Sequence, residues 1–265
     1  MTNYQKFQPK GDQTIQSDQY AFPYHFIPTP GVNPRLARFW TFSASYVAAL
    51  ELVTDYIENA NAASQPIRSI SYIDIGCGDG ALLHYLSKDI NHKHIQLTGV
   101  DYDEHALAWA RMFTPAAEWI CADLSDITGR KFDIASAIEV LEHIDPAILP
   151  SFLDGVAGVM EDKGKLIVTV PSIGKTVAEK HFQHFSFQSL RDALEPNFDI
   201  EVIYGFEMSG WWLRLLTRLL WNSHWRIDAP RINRYLVDLH KKRHNSDENA
   251  GRLFCIASKR GSVTQ

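Results

Sequence analysis

Cysteine is scarce in this sequence. Cys77, Cys121 and Cys255 are an odd number in no metal-type spacing, so neither a disulfide framework nor a zinc site is expected, and a reducing compartment is favoured. Long apolar runs are lacking too. The most apolar stretch, Trp211–Trp225, is broken by Arg214 and Arg218, and it is shorter than the roughly 20 residues a bilayer crossing needs. Residues 1–13 have no basic start followed by an apolar run, so no secretory signal is read and a cytoplasmic location is expected. There is no large excess of one charge: the formal net of −5 argues against a surface built wholly for polyanions. With 12 Pro, 15 Gly and 45% hydrophobic residues, collagen, low-complexity and disordered classes are excluded for the chain as a whole.

The 265 residues allow one large domain with embellishments or two small ones. Residues 1–19 are polar and Gln-rich and are expected to be a disordered tail. From Tyr20 to Pro30 aromatics alternate with prolines, which predicts a fixed loop. Leu36, Phe39, Trp40, Tyr46, Val47, Leu50, Val53 and Ile57 then recur at helical spacing, so 20–63 reads as an N-terminal lid and helices. Strands are expected at Ser69–Ile75, Ile95–Asp101, Glu118–Ala122, Phe132–Ile138 and Lys165–Val170, with helices near Ala81–Lys88, Glu104–Phe113 and Pro146–Met160. That alternation implies a parallel sheet. Ile200–Tyr204 and Leu253–Ser258 read as two further strands. The resulting division is a core over 64–204, an insertion over 205–250, and a last strand and tail over 251–265.

Ile70–Gly80 is an apolar strand running into a glycine turn, and a helix follows. Gly76, Gly78 and Gly80 permit positive φ and leave no side chain between turn and ligand, so the backbone can approach a nucleoside closely. Alone, such a turn is also what any tight strand-to-helix connection needs. The next strand ends in Asp101, about 20 residues on, where a carboxylate can accept two ribose hydroxyls. A third strand ends in Cys121-Ala-Asp123-Leu124, where a carboxylate and the following N–H could read an adenine edge. The spacing G-x-G-x-G departs from the dinucleotide fingerprint, and Asp74 and Asp79 at the turn would repel a pyrophosphate. They suit a ligand with a cationic end.

Tyr72–Gly80, Asp101, Asp123, Phe132–Ile144 and Gly164–Pro171, in that order, resemble the successive motifs of class I S-adenosylmethionine-dependent methyltransferases over about residues 68–200. The resemblance implies an α/β fold, a doubly wound, seven-stranded, mostly parallel Rossmann-like sheet with an edge hairpin of the last two strands. It also implies S-adenosylmethionine as methyl donor. By position it implies that Asp74 and the turn Gly76, Cys77, Gly78 and Gly80 lie beside the methionine end and ribose. Asp101 would take the ribose hydroxyls, Tyr102 would pack on adenine, Asp123 and Leu124 would border the ring, and Glu139 would open the methyl-transfer side.

Glu139-Val-Leu-Glu-His143 follows the fourth strand and opens into the cleft. His143 is a candidate general base; the alternative is that Glu142 and His143 only hold the loop. The run resembles two branches of the family. One holds ubiquinone-biosynthesis O-methyltransferases and relatives acting on small molecules and saccharides. In the other, the small-RNA 3′-end 2′-O-methyltransferases, both glutamates, the histidine and a later histidine hold a divalent metal, a part open here to His181 or His184. His184-Phe185 before a short helix looks more like the small-molecule branch, so a metal is not favoured. His25, between prolines and aromatics, is either part of a lid that desolvates the acceptor or part of a strap over core surface.

The charge is unevenly spread: 64–163 holds 7 Lys/Arg against 16 Asp/Glu, while 209–243 holds 8 against 2. The segment 209–225 is a basic amphipathic helix that either packs on its own sheet or lies on a membrane or lipid-linked substrate. Arg231, Arg234, Lys241, Lys242 and Arg243 either meet phosphates or form a solvated helix face. The expected reaction is O-methylation of a small-molecule, saccharide or lipid-linked acceptor, with nucleic acid not expected. The competing readings are a metal-assisted RNA 2′-O-methyltransferase and a non-catalytic S-adenosylmethionine-binding partner protein.

Overall fold

A computed structural model describes residues 17–21, 44–63, 69–88, 94–208, 211–220, 229–246 and 248–261, with single positions 23, 25, 222, 224, 225 and 227. Seven strands form one sheet: β1 (Ile70–Ile75), β2 (Ile95–Asp101), β3 (Glu118–Cys121), β4 (Phe132–Ile138), β5 (Met160–Pro171), β6 (Phe198–Met208) and β7 (Ala250–Lys259). Their order is β3-β2-β1-β4-β5-β7-β6. The pairings among β1 to β5 are parallel, and β7 inserts antiparallel between β5 and β6. Chain order reverses between β1 and β4, which is where such sheets open a crevice for ligands.

Both faces of the sheet are covered, and the strands alternate accordingly. Ile73, Ile75, Leu166, Val168, Leu253 and Cys255 point to one side, where α4 (Leu149–Gly158) and α5 (Phe187–Leu194) bury Leu153, Val156, Leu190 and Leu194 against them. Tyr72, Ile134, Ile167, Phe254 and Ile256 point to the other. There they meet Leu50, Val53 and Ile57 of α1 (Ala44–Ala63) and Leu82, Leu83 and Leu86 of α2 (Ala81–Ser87). The period of two along the strands is what a sheet buried on both faces by helices requires. The helix α3 (Glu104–Phe113) matches its expected bounds, with Asp103 capping it by accepting from the N–H groups of His105 and Ala106.

The helix expected over Pro146–Met160 is shorter. Asp145 accepts the N–H of Ala147 on its side chain and those of Ile148 and Leu149 on its carbonyl, holding a turn ahead of α4. At the other end Met160 leaves the helix and pairs with Phe132, so β5 begins there, well before Lys165. Of the expected tail, residues 17–19 instead take a helical turn, pinned where the Ser17 hydroxyl donates to Asp103. The expected helical pattern before Ala44 lies outside the described residues.

The insertion between β6 and β7 carries two helices, α6 (Trp211–Leu220) and α7 (Pro230–His240). A separate apolar cluster joins Leu213 and Leu220 of α6, Leu236, Val237 and Leu239 of α7, and Ala48 of α1. Arg234 grips Glu51 with two hydrogen bonds of 2.8 Å, and Lys241 bridges Glu51 and Asp55. Arg243 lies 4.3 Å over the Tyr204 ring. Three members of the basic cluster expected to meet phosphate or solvent are thus engaged within the fold.

Candidate active site

The turn after β1 is shaped by its glycines. Gly78 has φ +54°, and a Cβ there would run into the Tyr20 ring; Gly80 has φ +80°, and a Cβ would meet Trp119 Cη2 at 2.5 Å and Ala110 Cβ at 2.9 Å. Neither position accepts a side chain without displacing an aromatic. Asp101, at the end of β2, accepts the Gly78 N–H on Oδ2 and the Asp103 N–H on Oδ1, both at 2.9 Å. Asp74 on β1 accepts the Ser136 hydroxyl at 2.5 Å, and Ser136 in turn accepts the Tyr72 hydroxyl. Burial pushes Asp74 up to about 7 and Asp101 up to about 6. A cation placed here would reverse that shift and be held by two carboxylates it ionises.

Tyr20 and His25 lie against this turn. Tyr20 is buried, and its carbonyl accepts the Trp109 indole N–H at 3.0 Å. His25 donates its backbone N–H to Asp79 at 3.1 Å, and its Nδ1 is 2.6 Å from the same carboxylate, which makes Nδ1 the protonated nitrogen. Asp79 is thereby paired. Tyr102 stands half-exposed at the lip. The Asp123 carboxylate accepts the N–H and hydroxyl of Ser125, capping a short 3-10 turn. The Leu124 side chain is in the core, so its backbone is what faces the end of β3. Burial pushes the Cys77 thiol well up, leaving it unreactive.

On the other side of the switch point, Glu139 follows β4 with φ +58°. Its Oε1 accepts the Thr169 hydroxyl at 3.1 Å and its Oε2 the Arg252 Nε–H at 3.0 Å. Leu141–His143 form one 3-10 turn that aims Glu142 inward. The loop after β5 crosses this turn: the Phe182 N–H donates to the Glu142 carbonyl at 2.8 Å and His143 Nδ1 donates to the Lys180 carbonyl at 3.0 Å. Facing a carbonyl, Nδ1 carries the hydrogen, so Nε2 is the lone-pair nitrogen of the neutral ring.

The structure brings His181, rather than His184, against Glu142 and His143. Ligand atoms of Glu142, His143 and His181 lie within 4.8 Å of one another, and the His143 and His181 rings meet edge to face at 4.7 Å. His184 stands one ring behind: its Nδ1 donates to the Lys175 carbonyl, so its Nε2 accepts from His181 Nδ1 at 2.9 Å. That leaves His181 Nε2 as a lone pair. Burial and the neighbouring His143 push His181 down to about 3, so it is neutral at ordinary pH. Glu142 is fully buried, and among the described residues neither carboxylate oxygen has a hydrogen-bond partner. Burial and then Glu139 push it far above the carboxylate range. The orphaned, buried Glu142 carboxyl and the Nε2 atoms of His143 and His181 are a donor set that fits a divalent cation, and equally a hydroxylated acceptor.

Sequence reasoning missed the network behind Glu139. Arg252 of β7 is buried and joins Glu139 to Glu207 of β6, which also accepts from Lys175 Nζ at 2.6 Å. The available signal was one arginine at the head of an otherwise apolar strand.

Residues 73–164 match the family model described as a methyltransferase domain. The mitochondrial ubiquinone biosynthesis O-methyltransferase of Arabidopsis thaliana is 31% identical over 91 residues, which is 31% of this chain and 27% of that protein. Its namesake in Saccharomyces cerevisiae is 32% identical over 83 residues, 29% of this chain and 26% of that protein. The chain therefore spans about a quarter of the length of these curated relatives. The N-methyltransferase NodS of Bradyrhizobium japonicum in complex with S-adenosyl-L-homocysteine superposes with a TM-score of 0.59 at 13% identity, covering 94% of this chain and 99% of that one. For magnesium protoporphyrin IX methyltransferase of Synechocystis PCC 6803 with bound S-adenosylmethionine the TM-score is 0.58 at 15% identity, with 96% and 100% covered. At these identities the likeness is one of fold.

Proposed function

We propose, on the premise that this chain is a class I S-adenosylmethionine-dependent methyltransferase, that it methylates an oxygen of a small-molecule, saccharide or lipid-linked acceptor. The observation that carries the reading is the pairing of two half-sites across the β1/β4 switch point. One is a glycine turn backed by the buried carboxylates Asp74 and Asp101; the other is a cluster of Glu142, His143 and His181 whose imidazole nitrogens can accept a proton. The named activity of the two ubiquinone biosynthesis relatives supports oxygen as the accepting atom.

S-adenosylmethionine supplies an activated methyl on a sulfonium, which an acceptor oxygen displaces in line. Asp101, oriented by the Gly78 N–H, would hold the nucleoside end, and Asp74 would offset the sulfonium charge. His143 Nε2 is the atom placed to take the acceptor proton, with the ring fixed by the Lys180 carbonyl. Tyr20 and His25 would exclude water from the turn. Alignment and desolvation carry most of the rate in such a displacement.

Calorimetry with S-adenosylhomocysteine tests the cofactor half. The wild type is expected to bind and Asp101→Ala to bind at least tenfold more weakly; absence of wild-type binding would overturn the reading. Methyl transfer to a panel of phenolic and saccharide hydroxyls tests the other half. His143→Ala is expected to lose on the order of 10²–10⁴ in kcat with S-adenosylhomocysteine binding unchanged. An unchanged kcat removes the base.

A second reading rests on the orphaned Glu142 carboxylate. If a divalent cation sits between Glu142, His143 and His181, it would gather the acceptor hydroxyls and lower their pKa. Chelator dialysis should then abolish turnover, and equilibrium dialysis should show metal binding lost in Glu142→Gln. Retention of turnover after chelation sinks this variant alone.

A further inference from the structure

Helix α6 is apolar on both sides, and among the described residues only one side has a partner. Leu213, Leu216 and Leu220 pack on α7 and α1. Opposite them Trp211, Leu215 and Leu219 recur at four-residue spacing, which stacks them on one stripe. They are 76%, 51% and 57% exposed, and Trp212 flanks them. Trp225 extends the stripe, because its indole N–H donates to the Leu219 carbonyl at 2.9 Å while the ring stays 55% exposed. A helix that only covers a sheet shows charge on this side. Two exposed tryptophans and two leucines in one stripe, with Trp212 beside it, mark a surface that something apolar meets.

The charge around the stripe says what. Residues 211–220 contain no Asp or Glu. Arg218 borders the stripe, and Arg231 follows closely on Ile227, whose N–H is bonded to the Leu220 carbonyl at 2.8 Å. Both arginines are exposed, and neither makes an ion pair with the described residues, unlike Arg234 and Lys241, which α1 engages. Tryptophan rings with an apolar body and a polar N–H, leucines between them and arginines at the margin are the composition that seats in the headgroup region of a bilayer carrying negative lipid. We propose that the outer face of α6 is an interfacial anchor that docks this protein on an anionic membrane surface.

The anchor is close to the chemistry. Trp211 follows Glu207 by four residues, so their Cα atoms are at most about 15 Å apart, and Glu207 is bonded to the arginine that holds Glu139. Docking by α6 thus brings the acceptor side of the cleft near the interface. The docking stands by itself; the corollary that the acceptor is membrane-borne rests on the methyl-transfer reading above.

Co-sedimentation of the full chain with phosphatidylcholine vesicles, with and without phosphatidylglycerol, tests it. The wild type is expected to sediment with phosphatidylglycerol-containing vesicles and the triple variant Trp211→Ser, Leu215→Ser, Leu219→Ser to bind at least tenfold more weakly. Arg218→Gln with Arg231→Gln is expected to lose about fivefold per charge and most of the dependence on phosphatidylglycerol. Calorimetry with S-adenosylhomocysteine on every variant shows that the fold is kept and reads the cofactor assignment separately. A wild type that stays in the supernatant, or a triple variant that binds as well as the wild type, overturns the anchor. So does a triple variant that merely converts a dimer to a monomer on sizing, which would make the stripe an interface between copies.

Discussion

Arg252 sits at the head of the antiparallel edge of the sheet and holds two carboxylates, Glu139 and Glu207, on residues with positive φ. Both backbones are in a conformation that side-chain-bearing residues rarely adopt, and the shared guanidinium is what over-determines them. Replacing it by methionine keeps the bulk and leaves the two carboxylates without their common partner. Arg252→Met is expected to cost on the order of 3–5 kcal/mol in urea denaturation, with Lys175 compensating only at Glu207. A loss within experimental error would mean that the network is decorative. None of this was legible from the sequence, because Arg252, Glu207 and Lys175 belong to no local motif and converge only through the pairing of β5, β7 and β6. The glycine turn and Asp101 were legible, because their spacing is a local property of one strand–turn–helix unit and the strand beside it.

The same scale sets a pH response whose two limbs have opposite sign. Asp74 and Asp101 ordinarily titrate near 3.8, and burial lifts them to about 7 and about 6. Between those values the folded chain binds protons that the unfolded chain does not, so stability without ligand rises as pH falls from about 7 towards 4. Burial alone would raise Glu207, yet Arg252 and Lys175 hold it down to about 2 from an ordinary 4.5. Its contribution is complete above 4.5 and is lost as pH falls towards 2. The melting temperature of the ligand-free protein should therefore climb from pH 8 to about 5 and fall below about 4, and Asp101→Asn should flatten the upper limb. A curve that falls steadily from pH 8 to 5 contradicts the assignment.

At the scale of elements, the apolar periods located every strand of the sheet and the helices α2 to α4, and they erred at boundaries set by turns. Met160 reads as the last apolar residue of a helix, but it stands in register with Phe132, 28 positions away, whose N–H donates to the Val159 carbonyl at 2.9 Å. A periodicity cannot distinguish those two uses. Tyr20 and His25 were legible only as part of a loop, and residues 17–19 only as tail; the contacts of Tyr20 with Gly78 and Trp109 and of His25 with Asp79 join positions more than 50 residues apart. Gly78→Ala tests the contact with Tyr20. A methyl group at φ +54° pays about 1–2 kcal/mol of backbone strain and displaces the Tyr20 ring. The variant should lose about that much stability in denaturation and bind S-adenosylhomocysteine at least tenfold more weakly. Wild-type affinity in this variant would mean that neither the turn nor the strap touches the nucleoside.

For the whole molecule, the −5 net charge is a sum of two unlike parts, and the fold shows how they are joined. Of the acidic residues of the core, Asp74, Asp79, Asp101, Asp123 and Glu139 sit on or just after the ends of β1 to β4. Part of the basic insertion is spent on α1, where Arg234 and Lys241 meet Glu51 and Asp55, while the exposed side of α6 is left to whatever it docks on. Among the described residues the cap is therefore tied to the core through α1 and β6, by this ion-pair network, the apolar cluster with Ala48, Arg243 over Tyr204 and the two backbone bonds between His244 and Gly205. Exposed pairs of this kind contribute about 1 kcal/mol or less, so Glu51→Gln with Asp55→Asn should loosen α7 without unfolding the sheet. Limited proteolysis should cleave within 209–243 several times faster in the double variant, while calorimetry returns the wild-type affinity for S-adenosylhomocysteine. If affinity falls in step with the faster cleavage, cap and core are one cooperative unit, and the insertion takes part in holding the cofactor as well as in meeting the acceptor.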